Sequence, residues 1–147
     1  MRGFTLVELL IVIAILVIAS GLALPFIQSF QATADLATHA DTLTSTLRRA
    51  RWQAVTGQNA ASWGVYFDSG NNRFVLFQGT SYAGRDQSFD QEFTYPVVFT
   101  LTTDFGNEIG FSRYAGDASA SGTVLFSDGV NQASVSIDPY GRVQTIQ

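Results

Sequence analysis

Apolar residues form one unbroken block near the start of the chain and become periodic further on. Residues 9–19 are entirely aliphatic, and the wider stretch 4–24 has about the ~20 residues that a helix needs to cross a hydrocarbon core of ~30 Å. The block therefore predicts a transmembrane helix over residues 4–25. Pro25 ends the block and lacks a backbone donor, so we expect a kink in the helix at this position.

Beyond Pro25 the apolar residues recur at intervals of three and four, as they do along one face of an amphipathic helix. This face consists of Leu36, Ala40, Leu43, Leu47, Ala50 and Ala54, and the opposite face carries Thr38, Asp41, Ser45 and Thr46. Gly57 is a natural stop, because glycine adopts the left-handed conformation that ends many helices. We predict an amphipathic helix over residues 26–57, with the whole helix running from about Thr5 to about Thr56.

From residue 58 onward the apolar period becomes two and aromatic residues are frequent, which predicts a β-rich head over residues 58–147. Predicted strands cover residues 63–67, 73–77, 97–101, 122–126, 133–137 and 142–146. Residues 79–96 are polar and turn-rich, and we predict a surface loop there. The predicted fold class is therefore α+β, with the apolar face of a long N-terminal helix packed on a mostly antiparallel sheet.

The composition excludes several kinds of chemistry. The chain has no cysteine and no lysine, which excludes thiol catalysis, disulfides, cysteine-based zinc sites, Walker-type loops and lysine Schiff bases. The single histidine, His39, has no Glu or Cys at ligand spacing, so we predict a surface or interface residue and no metal site. A catalytic triad or carboxylate pair cannot be assembled from these residues. We predict no enzyme and no cofactor.

Charged and polar clusters leave two further questions open. Asp68, Asn71 and Asn72 suggest calcium, but hairpin turns use the same residues and the spacing of a twelve-residue calcium loop is missing. The net charge of −4 argues against a general nucleic-acid binder. The one basic cluster is Arg48, Arg49 and Arg51. These arginines either interact with the dipole and carbonyl groups at the helix end, or contact DNA or a partner.

Glu8 is the one acidic residue inside the apolar block. An ionised side chain at the centre of a membrane span costs roughly 2.5 kcal/mol or more, so we expect Glu8 to have a partner and a function. A secretory signal peptide, cut near residues 19–21, and a plain membrane anchor are two simpler interpretations of the block. Both leave Glu8 unexplained.

The run from Gly3 to Leu10, Gly-Phe-Thr-Leu-Val-Glu-Leu-Leu, resembles the prepilin cleavage and methylation motif of type IV pilins and type II secretion pseudopilins. The resemblance implies that prepilin peptidase removes a leader of residues 1–3, cutting between Gly3 and Phe4, and that Phe4 is then N-methylated. In a helical filament, Glu8 can pair with the terminal amine of a neighbouring subunit. The implied location is a single pass through the bacterial inner membrane, with the head outside the cytoplasm. Other pilins or pseudopilins and an inner-membrane assembly platform are the implied partners.

A second resemblance lies at the end of the predicted helix. Residues 43–57 resemble the Leu-x3-Leu-x2-Ala-Arg-x2-Ala pattern that precedes a glycine in H-type pseudopilins and T-type minor pilins, and residues 109–111, 122–124 and 141–143 follow the same group. It implies a structural subunit of a secretion pseudopilus or a pilus. The alternative is a tip-exposed minor pilin that binds DNA, with Arg48, Arg49, Arg51 and Arg142 as candidate contacts. Some T-type pilins bind DNA through a C-terminal Gly-Arg-x-Arg, of which this chain lacks the second arginine.

Overall fold

One long helix, two short 3-10 helices and eight strands make up the secondary structure of the part of the chain that is described. The computed structural model describes residues 5–20 and 33–146. The chain divides into two compact units, Met1–Ala34 and Asp35–Gln147. Helix α1 covers Leu6–Val55 and so ends one residue before the predicted end. The kink predicted at Pro25 lies outside the described residues.

The described residues include no helix that is both long enough and apolar enough to cross a membrane.

The periodic face of α1 is buried in the head unit, as predicted. Five of its six residues are fully buried and Leu36 retains only 2% of its exposure. Thr46, predicted on the polar face, is also buried. Its hydroxyl donates to the carbonyl of Thr42 at 2.8 Å, so this buried polar group is hydrogen-bonded. Thr44 is buried too, and its hydroxyl lies 2.9 Å from that of Thr145. The buried surface is therefore wider than the apolar residues alone indicate.

The strands form two four-stranded sheets, and every pairing is antiparallel. The first sheet has the order β3-β2-β1-β5 and the second the order β4-β6-β7-β8. Short 3-10 helices at Gln58–Ala60 and Ser69–Asn71 flank β1. The strands are β1 (Trp63–Asp68), β2 (Arg73–Gln78), β3 (Asp86–Thr94), β4 (Thr100–Thr103), β5 (Glu108–Phe111), β6 (Gly122–Ser127), β7 (Gln132–Ile137) and β8 (Val143–Ile146). The predicted α+β fold class is confirmed.

Three strands differ from the prediction, and two of them, β3 and β5, are the edge strands of the first sheet. The predicted loop 79–96 contains β3, a nine-residue strand with mostly exposed side chains. An edge strand exposed on its outer face does not need the apolar alternation by which strands are identified. Strand β5 is only four residues long and was not predicted. Strand β4 begins at Thr100 and not at residue 97, because Phe99 donates to the carbonyl of Pro96 at 3.0 Å and closes a turn before it.

A single core joins the helix to both sheets. Leu43 and Leu47 of α1 belong to the same buried cluster as Trp63 and Phe111 of the first sheet and Phe126 of the second. Gly64 of β1 leaves room for the ring of Phe77, which is also fully buried; a Cβ at residue 64 would lie 2.6 Å from its Cζ atom. The head is therefore closed by aromatic packing without a disulfide.

The turn between β1 and β2 is held by the Asp68 carboxylate. Its Oδ2 atom accepts hydrogen bonds from Asn71 at 2.8 Å and from Arg73 at 2.9 Å. The bond from Asn71, together with the bond and charge of Arg73, lowers the pKa of Asp68 against the opposing effect of desolvation. The Asp68 carboxylate therefore stabilises the turn between β1 and β2. Within the described residues no three acidic or histidine side chains are grouped to hold a metal ion.

Two glycines in the turns of the second sheet allow a matched test of packing. Gly141, between β7 and β8, has φ of 72°, and a Cβ there would overlap the carbonyl oxygen of Gly116 and lie 2.9 Å from Nε of Arg51. Gly129, between β6 and β7, has φ of 90° with nothing within 4 Å of the equivalent position. We expect Gly129→Ala to lower the free energy of unfolding by roughly 1–2 kcal/mol, the cost of left-handed backbone for an L-residue.

Gly141→Ala should lower it by clearly more, because overlap is added to the same backbone cost. Urea unfolding followed by tryptophan fluorescence measures both variants against the unmodified chain. Equal losses for the two variants would show that the contact with Gly116 is not tightly packed.

Candidate functional site

Residues 6–20, at the start of α1, present a continuous apolar surface. Every large hydrophobic residue from Leu6 to Ile18 is exposed, with values between 45% and 75%. Exposed apolar area of this extent marks a surface that another protein or a lipid phase covers. The N-terminal segment is therefore the first candidate for an interaction surface.

Glu8 lies in the first turn of this helix. The backbone N–H of Glu8 donates to the hydroxyl of Thr5 at 3.3 Å, and the N–H of Leu9 donates to the carbonyl of Thr5 at 3.2 Å. Thr5 is thus the N-cap, and Glu8 stands at the third helical position, where a carboxylate interacts favourably with the helix dipole. Glu8 is exposed and has no ion-pair partner among residues 5–20 and 33–146. Its carboxylate is free to contact another chain.

The capping role of Thr5 is a feature that the sequence reasoning missed. The Thr-x-x-Glu spacing of residues 5–8 is the pattern of a capping box and could have revealed it. The cap offers a second explanation for an acid at residue 8, and an experiment on Glu8 has to separate the two. The predicted cleavage and methylation residues, Gly3 and Phe4, lie outside the described residues.

Each arginine of the basic cluster is bonded to a different part of the head. Arg48 donates to the carbonyl of Val143 in β8 at 3.0 Å, and Arg51 donates to the carbonyl of Gly116 at 3.3 Å. Arg49 donates to the side chain of Gln91 in β3 at 2.9 Å. The three guanidinium groups therefore join the helix to both sheets and to the loop after β5.

This arrangement differs from the predicted interaction with the helix end. The last turn of α1 contains no basic residue. The carbonyl of Ala54 accepts instead from the N–H groups of Gly57 and Tyr114, at 3.0 and 2.9 Å. Gly57 has φ of 64°, so it is the left-handed residue predicted to stop the helix.

Arg142 is the fourth candidate contact, and it is hydrogen-bonded to Asp138 within its own turn. Its backbone N–H and its Nε atom both donate to the Asp138 carboxylate, at 2.8 and 2.5 Å. Desolvation alone would raise the pKa of Asp138, but the bonds and charge of Arg142 lower it overall. The Arg142 side chain retains 68% of its exposure and its Cζ atom lies 5.8 Å from the centre of the Tyr140 ring. Arg142 does not bond to the helix arginines.

Three exposed aromatic residues accompany these arginines and were not singled out from the sequence. Trp52 and Tyr114 are each 63% exposed, and Tyr140 is 66% exposed. Tyr114 has φ of 67°, which is uncommon for a residue with a side chain. No apolar periodicity marks such residues, because they do not face the core. His39, by contrast, packs edge-on against Phe99, with ring centres 5.5 Å apart.

Comparison with known proteins agrees with the motif and the fold. Residues 1–24 match the prokaryotic N-terminal methylation motif. Two structures of the minor pseudopilin EpsH, from the type 2 secretion system of Vibrio cholerae, are similar in fold. The chain has the N-terminal motif and the fold of a pilin or pseudopilin. The resemblance to this family and to its H-type pseudopilins is thereby confirmed.

The structural match covers most of both chains. The first EpsH structure has a TM-score of 0.60 and 15% identity, covering 76% of this chain and 96% of its own. The second has a TM-score of 0.61 and 12% identity, covering 77% and 94%. No curated protein sequence matches the chain. The methylation motif implies an inner-membrane prepilin, and the prediction that the chain is not an enzyme agrees with a family of structural subunits.

We expect the full chain, in detergent, to bind duplex DNA no more tightly than the ~10⁻⁴–10⁻⁶ M of non-specific contacts at physiological salt. The reason is that Arg48, Arg49 and Arg51 bond to the head and the side chains sum to a net charge of −4. A fluorescence titration at two salt concentrations measures the affinity. Replacing all three arginines by alanine should weaken any residual binding.

The matched control is Arg73→Ala, because Arg73 is not on the helix and its guanidinium is paired with the carboxylates of Asp68 and Glu92. Submicromolar binding by the unmodified chain, lost in the triple variant and kept in Arg73→Ala, would make the DNA-binding alternative correct.

Proposed function

We propose that this protein is a minor structural subunit, of the H-type pseudopilin kind, in a type II secretion pseudopilus or a type IV pilus. Two features together carry the proposal. Residues 6–20 of the helix expose an apolar surface with a single acid at residue 8, and the head has an EpsH-like fold. A filament subunit needs both parts. The helix supplies the contacts that repeat from subunit to subunit, and the head supplies the outer surface.

Maturation would begin at the inner membrane. Prepilin peptidase would cut between Gly3 and Phe4 and methylate the new amine of Phe4. The apolar helix would hold the subunit in the membrane, with the head in the periplasm or another extracytoplasmic space, until the assembly platform transfers it to the filament. The match of residues 1–24 to the methylation motif supports this sequence of steps.

Glu8 would set the height at which a new subunit enters the filament. The terminal amine of an incoming Phe4 and the Glu8 carboxylate of an assembled subunit neutralise each other when they meet in an apolar environment. Removing one partner from such a buried pair typically costs on the order of 3–5 kcal/mol, because the other charge stays unpaired. The exposed position of Glu8 in the single chain supports a partner on another subunit.

We expect co-expression with a prepilin peptidase to remove residues 1–3 and to leave an N-methylated Phe4, because the enzyme reads the Gly3–Phe4 junction together with the apolar helix. Intact-mass and peptide mass spectrometry of the membrane fraction measure both changes. The matched control is Gly3→Ala, which should slow cleavage while the apolar segment stays unchanged. A cut near residues 19–21 would contradict the proposal and indicate a signal peptide.

We expect Glu8→Val to be cleaved and inserted normally but to enter filaments several-fold less efficiently, because insertion requires only the apolar segment and register requires the charge pair. The readout is the amount of variant in sheared filaments relative to the amount in membranes.

Thr5→Ala separates pairing from helix capping. It removes the hydroxyl that accepts from the Glu8 N–H but keeps the carboxylate, at a cost of about 1 kcal/mol in helix stability. Thr5→Ala should therefore enter filaments nearly normally once cleaved. A loss equal to that of Glu8→Val would assign residue 8 to the cap and contradict the pairing role.

A further inference from the structure

Two turns of the second sheet each display valine at the tip. The turn from Pro96 to Phe99 carries Val97 and Val98, which are 83% and 61% exposed. The turn from Asp128 to Asn131 carries Val130, which is 89% exposed. Glycine, proline, asparagine, aspartate and serine dominate turn tips, whereas valine favours strands. Neither local backbone preference nor core packing accounts for these three valines.

The two turns lie at the same end of the sheet. Strand β4 pairs with β6 so that Thr100 is opposite Ser127. Strand β4 begins directly after the first turn and β6 ends directly before the second, so the two turns are at the same end of the second sheet. Hydrogen bonds hold both turns. The Phe99 N–H donates to the carbonyl of Pro96 at 3.0 Å, and the Asp128 carboxylate accepts from the N–H groups of Val130 and Asn131 at 2.8 and 2.6 Å. We call the three side chains the valine tip.

The valine tip is at the end of the head unit where the chain enters it. Thr44 contacts Thr145 and Arg48 contacts Val143, so β8 runs antiparallel to the helix. The last residue of β8, Ile146, pairs with Ser134 of β7. On the N-terminal side of Ser134, β7 extends beyond the end of β8 to the turn that holds Val130. This direction leads toward the start of the unit at Asp35.

The other turn gives the same placement independently. Phe99 directly follows Val98 and packs against His39, four residues after Asp35. Both observations therefore place the valine tip at the end of the head unit that contains Asp35, its first residue.

We propose that the valine tip contacts the lipid surface and holds the head against the membrane before assembly. This rests on the membrane anchorage stated under the proposed function. The valine tip consists of only three side chains on two turns. The surface that it offers is far smaller than the ~800 Å² per partner of a standard protein interface. A lipid interface accepts small protruding apolar groups, as it does the apolar faces of peripheral helices.

The contact should not depend on lipid charge. The two turns, Pro96–Phe99 and Asp128–Asn131, contain no lysine or arginine and one carboxylate, that of Asp128. Apolar transfer is insensitive to ionic strength, whereas attraction to anionic lipids falls with salt. Anionic lipid and added salt should therefore leave the contact unchanged.

The absence of cysteine from the chain allows single fluorescent labels at chosen positions. Val97→Cys and Val130→Cys report on the valine tip. Tyr140→Cys is the matched control, because Tyr140 is 66% exposed in the turn at the opposite end of β7. Each full-length variant is labelled with an environment-sensitive dye, checked for folding by circular dichroism, and placed in phosphatidylcholine vesicles at no more than one chain per vesicle. Quenching is measured with aqueous iodide and with spin-labelled lipid.

We expect iodide to quench the dye at residues 97 and 130 several-fold less than at residue 140, and spin-labelled lipid to quench it several-fold more. Equal iodide quenching at all three positions, in chains that float with the vesicles, would overturn the proposal and leave the anchor intact. Protection from iodide without lipid quenching would also overturn it and would indicate cover by protein. Failure of the chain to float with the vesicles would overturn both the anchor and the lipid contact.

Discussion

The structure of the head depends on the burial of one helix face against two sheets at once. Ala40, Ala50 and Ala54 are fully buried beside leucines on that face. Small side chains let the backbone of the helix approach the sheets closely, and the leucines fill the space between them. This helix face shares one buried core with both sheets. The sheets also meet directly where the Ser69 hydroxyl donates to the carbonyl of Leu101 in β4 at 3.1 Å.

The sequence predicts this face well because its pattern is local. The positions Leu36, Leu43 and Leu47 follow from helical spacing alone, and the structure buries all three. Strands with an inward apolar face, such as β6 and β7, are also predictable from their period. Strand β3 is not, because its alternation is hidden by polar residues at an open edge. Its Phe93 does stack on Phe74 of β2, with ring centres 5.3 Å apart, but one aromatic pair is a weak signal in a polar stretch.

The residues of the candidate site also differ in whether the pattern that reveals them is local in the sequence. The run around Glu8 is a local motif, so the sequence alone indicates its chemistry. The partners of the arginines are non-local: Arg48 and Val143 are separated by 95 positions, and Arg51 and Gly116 by 65. A cluster of three arginines therefore suggests a binding surface from sequence, while the fold uses the same groups to satisfy carbonyls of the head. Trp52, next to Arg51 in the helix, stays 63% exposed, whereas Tyr114 donates its N–H to the carbonyl of Ala54 at the helix end.

The antiparallel path of β8 along the helix has a mechanical consequence. The contacts of Thr44 with Thr145, of Arg48 with Val143 and of Arg51 with Gly116 are spaced along the helix axis. A pull along that axis loads all three together in shear, whereas a pull across it would open them one at a time. Under the proposed function, drawing the subunit out of the bilayer by its helix would apply the first kind of load. The three contacts would then resist that force together.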